Sequence, residues 1–256
     1  MMVHSSMRLR ACLAAVVCCL PAAAGARDLV EACKASSSYD LTLAGGALVF
    51  DRATPAPRRI TIDGATLTVD GARVQGDAAQ AATLRRFEQL LRAQVPRVRA
   101  LGRRAVDLAL EAVRAEAVAL GVSAATRSEL ERRLAAHRAG LLERIATSNS
   151  TKDWQGDAAE AWAGPIASDI VPLLAADIGQ QAISAALAGD LAAAAGLRDR
   201  AASLADDPAA PLRRRMQALE PAVRSLCPAI DELARLQRGL RDARGRPLQL
   251  LETSPR

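Results

Sequence analysis

Aromatic and histidine side chains are scarce in this 256-residue chain. Aromatic residues make up 2% of it, and there are two histidines, two tryptophans, two phenylalanines and one tyrosine. Proteins that bind single-stranded nucleic acid stack the bases on several aromatic rings. This chain has too few aromatic residues to favour such a binding surface. Zinc and related metals usually take several imidazole or thiolate ligands, so a histidine-based metal centre is poorly served as well.

Lysine is almost absent too, since Lys34 and Lys152 are the only two and arginine supplies the other positive charges. The formal net charge is +6. The arginines are interspersed with acidic residues along the predicted helices, a pattern typical of solvated helix faces. We therefore expect no nucleic-acid partner, while a weak attraction to anionic lipid headgroups stays open.

The first 26 residues have the pattern of a cleavable signal peptide. Arg8 and Arg10 precede an apolar run that ends in Ala24-Gly25-Ala26, a small-residue cleavage signal. The run is shorter than the ~20 apolar residues of a spanning helix. We predict cleavage between Ala26 and Arg27 and a periplasmic mature protein, with no transmembrane helix remaining.

Five cysteines become two once that leader is removed. Cys12, Cys18 and Cys19 lie inside it, which leaves Cys33 and Cys227. An even pair of cysteines in an exported chain favours a disulfide. A redox or nucleophilic thiol is the alternative, but neither cysteine belongs to a Cys-x-x-Cys motif.

The stretch from Tyr39 to Val74 alternates apolar and polar residues, which predicts strands with one buried face. Within it, "IDGA" at 62–65 is followed by "VDGA" at 69–72. A calcium loop needs several oxygen ligands at one point, and a phosphate loop needs a glycine run that leads into a helix. Neither pattern is present, so we interpret the repeat as a turn, a strand and a second turn.

After Asp77 the apolar spacing changes to three and four residues, which predicts helices. Asp77 suits the first N-cap, Gly121 the end of that helix and Ser123 the next cap. Two amphipathic helices joined by so short a turn predict an antiparallel hairpin. Pro96 is expected to kink or break the first helix near Val95.

Residues 158–196 are apolar and rich in alanine and glycine. Core packing is one interpretation, and a self-associating or membrane-contacting surface is the other. In total we predict an α+β fold with a small antiparallel meander before a mainly helical region. The predicted parts are the signal peptide 1–26, the meander 27–76, the helical hairpin 77–147, an alanine-rich helical region 148–245 closed onto the N-terminus by the disulfide, and an exposed tail 246–256.

Three stretches carry a family resemblance: "CKASSSYDLTLAGGALVF" from Cys33, "ITIDGATLTVDG" from Ile60 and "LRRFEQLLRAQVPRV" from Leu84. Their order resembles the YggN-type family of exported bacterial proteins of unknown function. The resemblance implies a periplasmic setting and no established activity, and it transfers no catalytic residues.

Few residues are candidates for chemistry. His137 is the one histidine after the leader and shares a helical stripe with Leu134 and Leu141, so an interface histidine is the favoured interpretation over a catalytic base. Trp154 and Trp162 flank a polar loop and, with His137, are the candidate contacts for a ligand or partner. We predict no cofactor and no metal.

Isolated aspartates in the apolar region allow a second hypothesis. Asp169, Asp177 and Asp190 would have raised pKa values if buried, and paired carboxyl groups can hydrolyse glycosides. Helix caps and solvent-facing positions explain isolated aspartates equally well, since Asp169 is expected near a helix start and Asp190 follows Gly189 at a break. The leading hypothesis is a non-enzymatic envelope protein that binds a protein, peptide or lipid partner through apolar helix faces. The alternatives are a carboxylate-dependent hydrolase and a peripheral membrane-associated structural protein.

The predicted signal peptide and the predicted disulfide together fix the expected mass of the mature protein. Protein recovered from an exporting bacterium should begin at Arg27 and should weigh two hydrogens less than the reduced chain, since the two remaining thiols form a bridge. Intact-mass measurement checks both features. A full-length, fully reduced product would contradict them.

Overall fold

The computed structural model describes residues 32–206 and 210–253, so the predicted signal peptide and its Ala26–Arg27 cleavage site lie outside the described residues. The fold is α+β, as predicted, with a β-meander ahead of a mainly helical chain. The strands are β1 Ala35–Ser36, β2 Asp40–Ala44, β3 Ala47–Asp51, β4 Arg59–Asp63, β5 Thr66–Val69, β6 Ala72–Val74 and β7 Glu252–Thr253. The α-helices are α1 Ala78–Ala119, α2 Ala124–Thr147, α3 Gly156–Leu187, α4 Leu191–Asp206, α5 Ala210–Met216, α6 Glu220–Arg224 and α7 Cys227–Gln237, and two 3-10 helices cover Thr151–Trp154 and Gln217–Leu219.

The described residues form two units, and each unit is discontinuous in sequence. Residues 32–102, 147–158 and 220–253 form the sheet unit. Residues 103–146, 159–206 and 210–219 form the helical unit. Helix α1 contributes its first part to the sheet unit and its last part to the helical unit.

The core of the sheet unit lies on one face of the five-stranded antiparallel sheet β2-β3-β4-β5-β6. Leu48 pairs with Ile62 and Phe50 pairs with Ile60 across β3 and β4, and all four side chains are buried. This arrangement follows from period-two alternation, which places every second side chain on the same face. Helical and C-terminal residues complete the same cluster: Leu84, Phe87, Leu233, Leu240, Leu248 and Leu250.

The repeated "DGA" segments form turns, as predicted. Strand β5 lies between them and pairs with β4 and β6. Asp70 and Gly71 both have positive φ, at 48° and 83°, as a type I′ turn requires. The Asp70 carboxylate accepts the backbone N–H groups of Arg58 and Arg59 at 2.7 and 2.8 Å, so it fixes the turn after β5 to the start of β4.

The helix ends on either side of the predicted hairpin are also confirmed. Asp77 Oδ1 accepts the N–H of Gln80 at 2.7 Å, as an N-cap should. Gly121 adopts a φ of +71° directly after α1. Ser123 Oγ then accepts the N–H of Thr126 at 3.2 Å and caps α2.

Pro96 does not interrupt α1, so of the predicted kink or break near Val95 the break was wrong, and the kink stays a prediction. A proline removes one helical hydrogen bond, but most helical stability in proteins comes from packing of the apolar face. Here Leu91, before the proline, packs against the sheet-unit core, and Ala105, after it, is buried in the helical unit. Packing on both sides of the proline keeps the helix continuous.

The prediction of an exposed tail at residues 246–256 was wrong for Leu248 and Leu250, which are buried, whereas most of the other described residues of the tail are exposed. Both side chains belong to the sheet-unit core, in the cluster that also contains Leu240 and Phe87. Strand β7 then pairs antiparallel with β1, with Ala35 opposite Thr253. The buried Gln237 amide fixes the segment, since its oxygen accepts the N–H groups of Leu250 and Leu251 at 2.9 and 2.7 Å.

The predicted disulfide between Cys33 and Cys227 is present, and both residues are buried. It lies within the sheet unit and joins the first described residues to the start of α7. The two cysteines are 194 residues apart in sequence.

Removing this bridge should destabilise the sheet unit. Chain-entropy estimates for so long a loop give about 5 kcal/mol, an upper figure for real proteins. We expect Cys33→Ala, Cys227→Ala and the double variant to lose the same free energy of unfolding, because each breaks one shared bond. Denaturant titration of the four proteins measures it. Additive losses in the double variant would show that the cysteines act separately.

Candidate binding site at the end of the helical unit

Helix α3 is covered along its first part and bare at its end. Its buried side chains lie between Ala159 and Ile178. Beyond them Ile183 is 57% exposed and Leu187 is 84% exposed, and Leu191 at the start of α4 is 74% exposed. Core packing therefore describes the first part of the alanine-rich region, and the exposed second part leaves its contact with a membrane or a second copy a prediction.

Two prolines lie inside α3 without ending it. Pro165 and Pro172 are both exposed, and the backbone carbonyls that they leave without a helical donor belong to Ala161 and Ser168, which are exposed as well. Water can therefore bond those carbonyls, which lowers the cost of each proline. As a consequence Asp169 lies in the middle of a helix, and its predicted place near a helix start was wrong.

Asp177 ties α3 to the turn between α1 and α2. Its Oδ1 accepts the hydroxyls of Ser123 and Thr126 at 2.6 and 2.7 Å. Its Oδ2 accepts the N–H of Ser123 at 2.9 Å and the side-chain amide of Gln181 at 2.6 Å. The same Gln181 amide donates to the carbonyl of Gly121 at 3.1 Å. The carboxylate thus holds three neighbouring elements in one arrangement.

These bonds reverse the expected direction of the pKa shift. Partial burial alone raises the pKa of Asp177, but the donors on Ser123, Thr126 and Gln181 outweigh it and lower the pKa to about 2. Donors that bond the charged form favour ionisation. The group is therefore a permanent acceptor at neutral pH.

An open cavity of about 600 Å³ lies beside this carboxylate. Its polar lining includes Asp177 and Gln180, and its apolar lining includes Ala193 and Leu197 of α4. It is within the size range of small-ligand pockets, which combine apolar walls with a few polar groups.

Apart from Asp177, the two stretches beside the cavity contain almost no charged residues. The stretch 117–126, which contains the exposed Val118, has no charged residue. The stretch 178–197 has one, Asp190, whose Oδ1 accepts the N–H of Ala193 at 2.9 Å and caps α4. The cap interpretation of Asp190 is thereby confirmed. Charged residues make up 24% of the whole chain, so this end of the helical unit differs from the rest of the surface.

The structure places the predicted contact residues elsewhere. Trp162 is 7% exposed on the covered part of α3. Trp154 belongs to the sheet unit, where its ring N–H donates to Ser148 Oγ at 2.8 Å. His137 Nε2 lies 2.9 Å from Asp169 Oδ2, whose other oxygen accepts from Arg133 at 2.7 Å. Their contact with a ligand or partner stays a prediction.

Sequence reasoning missed Thr126 as a partner of Asp177 and did not single out Leu187 and Leu191. The Ser-x-x-Thr spacing at the start of α2 was a usable signal for the first. No local signal distinguishes the two leucines, because their exposure depends on what the fold leaves uncovered.

The aspartates do not form a facing pair. Asp169 and Asp177 are eight residues apart on one helix, or about 12 Å along its axis. Each bonds to a different set of partners, and two hydrolytic carboxyl groups usually stand about 5–10 Å apart across a cleft. Among the described residues there is also no group of three or more histidine, cysteine or acidic residues arranged to hold a metal ion.

Helix α3 is the one described helix that is long and apolar enough to cross a membrane, judged by length and composition alone. Within its most apolar 18-residue window, 22% of the residues are buried inside the protein. Core helices and signal sequences pass the same test, so the finding by itself leaves the predicted absence of a transmembrane helix untested.

Comparison with known proteins yields one family. The model of a family described as a protein of unknown function, DUF2884, matches residues 33–251. No curated protein and no solved structure matches the chain.

The Asp177 network predicts a pH-dependent contribution to stability. The lowered pKa means that the contribution is present above the unfolded pKa near 4 and is lost as the pH falls toward 2. We expect Asp177→Asn to lower the free energy of unfolding at neutral pH by about 1–2 kcal/mol, since the network is partly exposed. Denaturant titrations at several pH values measure the difference.

The exposed Asp199 of α4 is the matched control. Asp199→Asn should change stability little at any pH. A destabilisation by Asp177→Asn that persists unchanged at pH 2 would contradict the assignment.

Proposed function

This chain belongs to the DUF2884 family of proteins of unknown function, and from that premise we propose that it is a non-enzymatic cell-envelope protein that binds an apolar partner. The binding surface is the bare end of the helical unit, formed by Val118, Ile183, Leu187 and Leu191. The finer YggN-type resemblance supports a periplasmic setting for this role.

The exposure of Ile183, Leu187 and Leu191 carries the proposal. Ile183 and Leu187 are four residues apart on α3 and therefore project from the same side of the helix. Burying one such side chain is worth roughly 1.5–3 kcal/mol, so a partner that covers all three gains substantial affinity. Clustered exposed apolar residues commonly mark interaction sites, whereas single ones need no explanation.

The lack of charge around these residues indicates the chemistry of the partner. The stretches 117–126 and 178–197 contain one charged residue, Asp190, and the neighbouring Asp177 carboxylate is already bonded by protein donors. An apolar helix, a peptide or lipid chains suit such a surface, and an amphipathic helix would dock by its apolar face. A highly charged partner would lose hydration without gaining compensating ion pairs.

The disulfide supports an exported location. Disulfides persist in oxidising compartments such as the bacterial periplasm and are rare in the cytosol. The Cys33–Cys227 bridge is consistent with that setting, as is the leader pattern in residues 1–26.

The engaged aspartates favour a binding role over the hydrolase alternative. Asp177 has four donors on its two oxygens, and its lowered pKa makes it a poor general acid at neutral pH. Peripheral membrane association is the second candidate, and the apolar length of α3 favours it. Both candidates use the same bare surface.

Photocrosslinking in an exporting bacterium tests the proposal. A photoreactive residue at position 187 should yield an adduct with a protein or a lipid, because the site is covered in the cell. The same residue at position 136, an exposed alanine on α2, is the matched control and should yield none. Mass spectrometry of the adduct separates a polypeptide from a lipid.

A second variant links the adduct to the apolar surface. Ile183→Gln with Leu191→Gln should abolish the crosslink from position 187 without unfolding the protein, since both side chains are exposed. Equal crosslinking from positions 136 and 187, or an adduct that survives both substitutions, would refute the proposed surface.

A further inference from the structure

The segment 235–246 concentrates positive charge in the sheet unit. It contains five arginines and one acidic residue, Asp242. The sequence interpretation of arginines interspersed with acids holds on the helices, where Arg114 pairs with Glu131 at 2.9 Å, but it was wrong for this segment. The three-residue spacing of the arginines imitates a helix face, yet α7 ends at Gln237.

Beyond that point residues 238–246 form a closed turn, which we call the arginine hairpin. The N–H of Leu248 donates to the carbonyl of Leu240 at 3.1 Å, and the N–H of Asp242 donates to the carbonyl of Arg246 at 2.9 Å. The N–H of Gly245, whose φ is +77°, donates back to the carbonyl of Asp242 at 3.0 Å. The backbone of the hairpin is therefore fixed by its own bonds.

Asp242 organises the hairpin from inside. Its residue is 7% exposed, and its Oδ1 accepts the N–H groups of Arg244 and Arg246 at 2.8 and 2.9 Å. Its Oδ2 accepts from the Arg246 guanidinium at 2.8 Å. The one carboxylate of the segment is thus used internally, and it neutralises Arg246 alone.

The base of the hairpin is anchored in the sheet-unit core. Leu240 and Leu250 are fully buried, and Leu248 is 4% exposed. A fixed base reduces the conformational entropy that a ligand would otherwise have to remove on binding.

Three arginines of this segment have no counter-charge. Arg235 pairs with Glu232, and Arg246 pairs with Asp242. Arg238, Arg241 and Arg244 are exposed, and within residues 32–206 and 210–253 their guanidinium groups contact no acceptor. Placing three positive charges within seven residues is unfavourable unless an anion shares them.

We propose that the arginine hairpin is a binding site for phosphate groups, carried by anionic lipid headgroups or by soluble phosphate compounds. The guanidinium fork matches two oxygens of a phosphate, and neighbouring arginines engage several oxygens together. This site uses residues of the sheet unit alone, so it stands independently of the bare surface of the helical unit.

Two probes identify the source of the phosphate. Vesicles of phosphatidylcholine with phosphatidylglycerol present lipid phosphates with net charge, and vesicles of phosphatidylcholine alone are the neutral reference. Inorganic pyrophosphate presents the soluble form. Vesicle sedimentation and calorimetric titration of the full chain measure the two affinities, and both affinities should fall as salt screens the charges.

The test variant is the triple Arg238→Gln, Arg241→Gln, Arg244→Gln. The matched control is the triple Arg103→Gln, Arg104→Gln, Arg127→Gln, whose exposed side chains belong to the helical unit and also lack an acceptor among the described residues. Both variants change the net charge equally. Circular dichroism and thermal unfolding should show that both remain folded, since neither removes an ion pair.

Each basic residue near an anionic membrane surface changes affinity by roughly fivefold, so the hairpin triple should lose about a hundredfold on charged vesicles. The control triple should change by less than about threefold, because long-range charge alone is screened. Binding to vesicles only assigns the site to lipid headgroups, and binding to pyrophosphate assigns it to phosphate in general. Failure of the wild-type protein to bind either probe, or equal losses in both triples, would overturn the proposal.

Discussion

The covalent bond between Cys33 and Cys227 constrains the sheet unit more than any other single contact. The sheet unit is built from three separate stretches of sequence, 32–102, 147–158 and 220–253, and the bridge fixes the first of them to the last. Two noncovalent contacts join the same two stretches of sequence as the disulfide. Strand β1 pairs with β7, and Ser37 Oγ donates to the carbonyl of Leu250 at 2.7 Å. Because all three contacts link the N-terminal stretch to the C-terminal one, residues 248–253 are held against the meander. There Leu248 and Leu250 complete the core of the sheet unit.

Aspartate has a common structural role across both units. Asp70, Asp77, Asp177, Asp190 and Asp242 each accept at least one backbone N–H group at a turn or a helix start. Backbone donors at these positions have no partner in the regular ladder or helix, so a short carboxylate supplies one. This use of aspartate accounts for carboxylates in apolar surroundings without any catalytic chemistry. It also explains why an apolar segment with isolated aspartates resembles an active site in the sequence alone.

Local features of this chain were predictable from sequence, and features that depend on distant packing were not. The Asp70-Gly71 turn, the Asp77 and Ser123 caps and the end of α1 at Gly121 follow from backbone preferences of a few residues. The disulfide followed from counting, since two cysteines lie outside the predicted signal peptide. By contrast, Pro96 and Pro172 lie inside continuous helices because burial and solvent access around them decide the outcome. The burial of Leu250 depends on a partner strand more than two hundred residues earlier.

The candidate surfaces illustrate the same limit. Leu174 and Leu187 have the same side chain in the same helix, yet one is buried and the other is 84% exposed. The difference arises from where neighbouring helices end, which no window of sequence records. In the same way, the three-residue spacing of Arg238, Arg241 and Arg244 suggests a helical face, but α7 ends at Gln237 and Gly245 adopts the positive φ of a turn. Exposure and clustering are properties of the folded chain, and they decide where binding chemistry can occur.

The pairing of the first strand with the last has a consequence for biosynthesis. A polypeptide that emerges N-terminus first delivers Ala35 and Cys33 long before Thr253 and Cys227. Until the last residues of the chain are available, strand β1 lacks its pairing strand β7 and Cys33 lacks its disulfide partner Cys227. The sheet unit can therefore reach its final, cross-linked form only after its last residues have been synthesised.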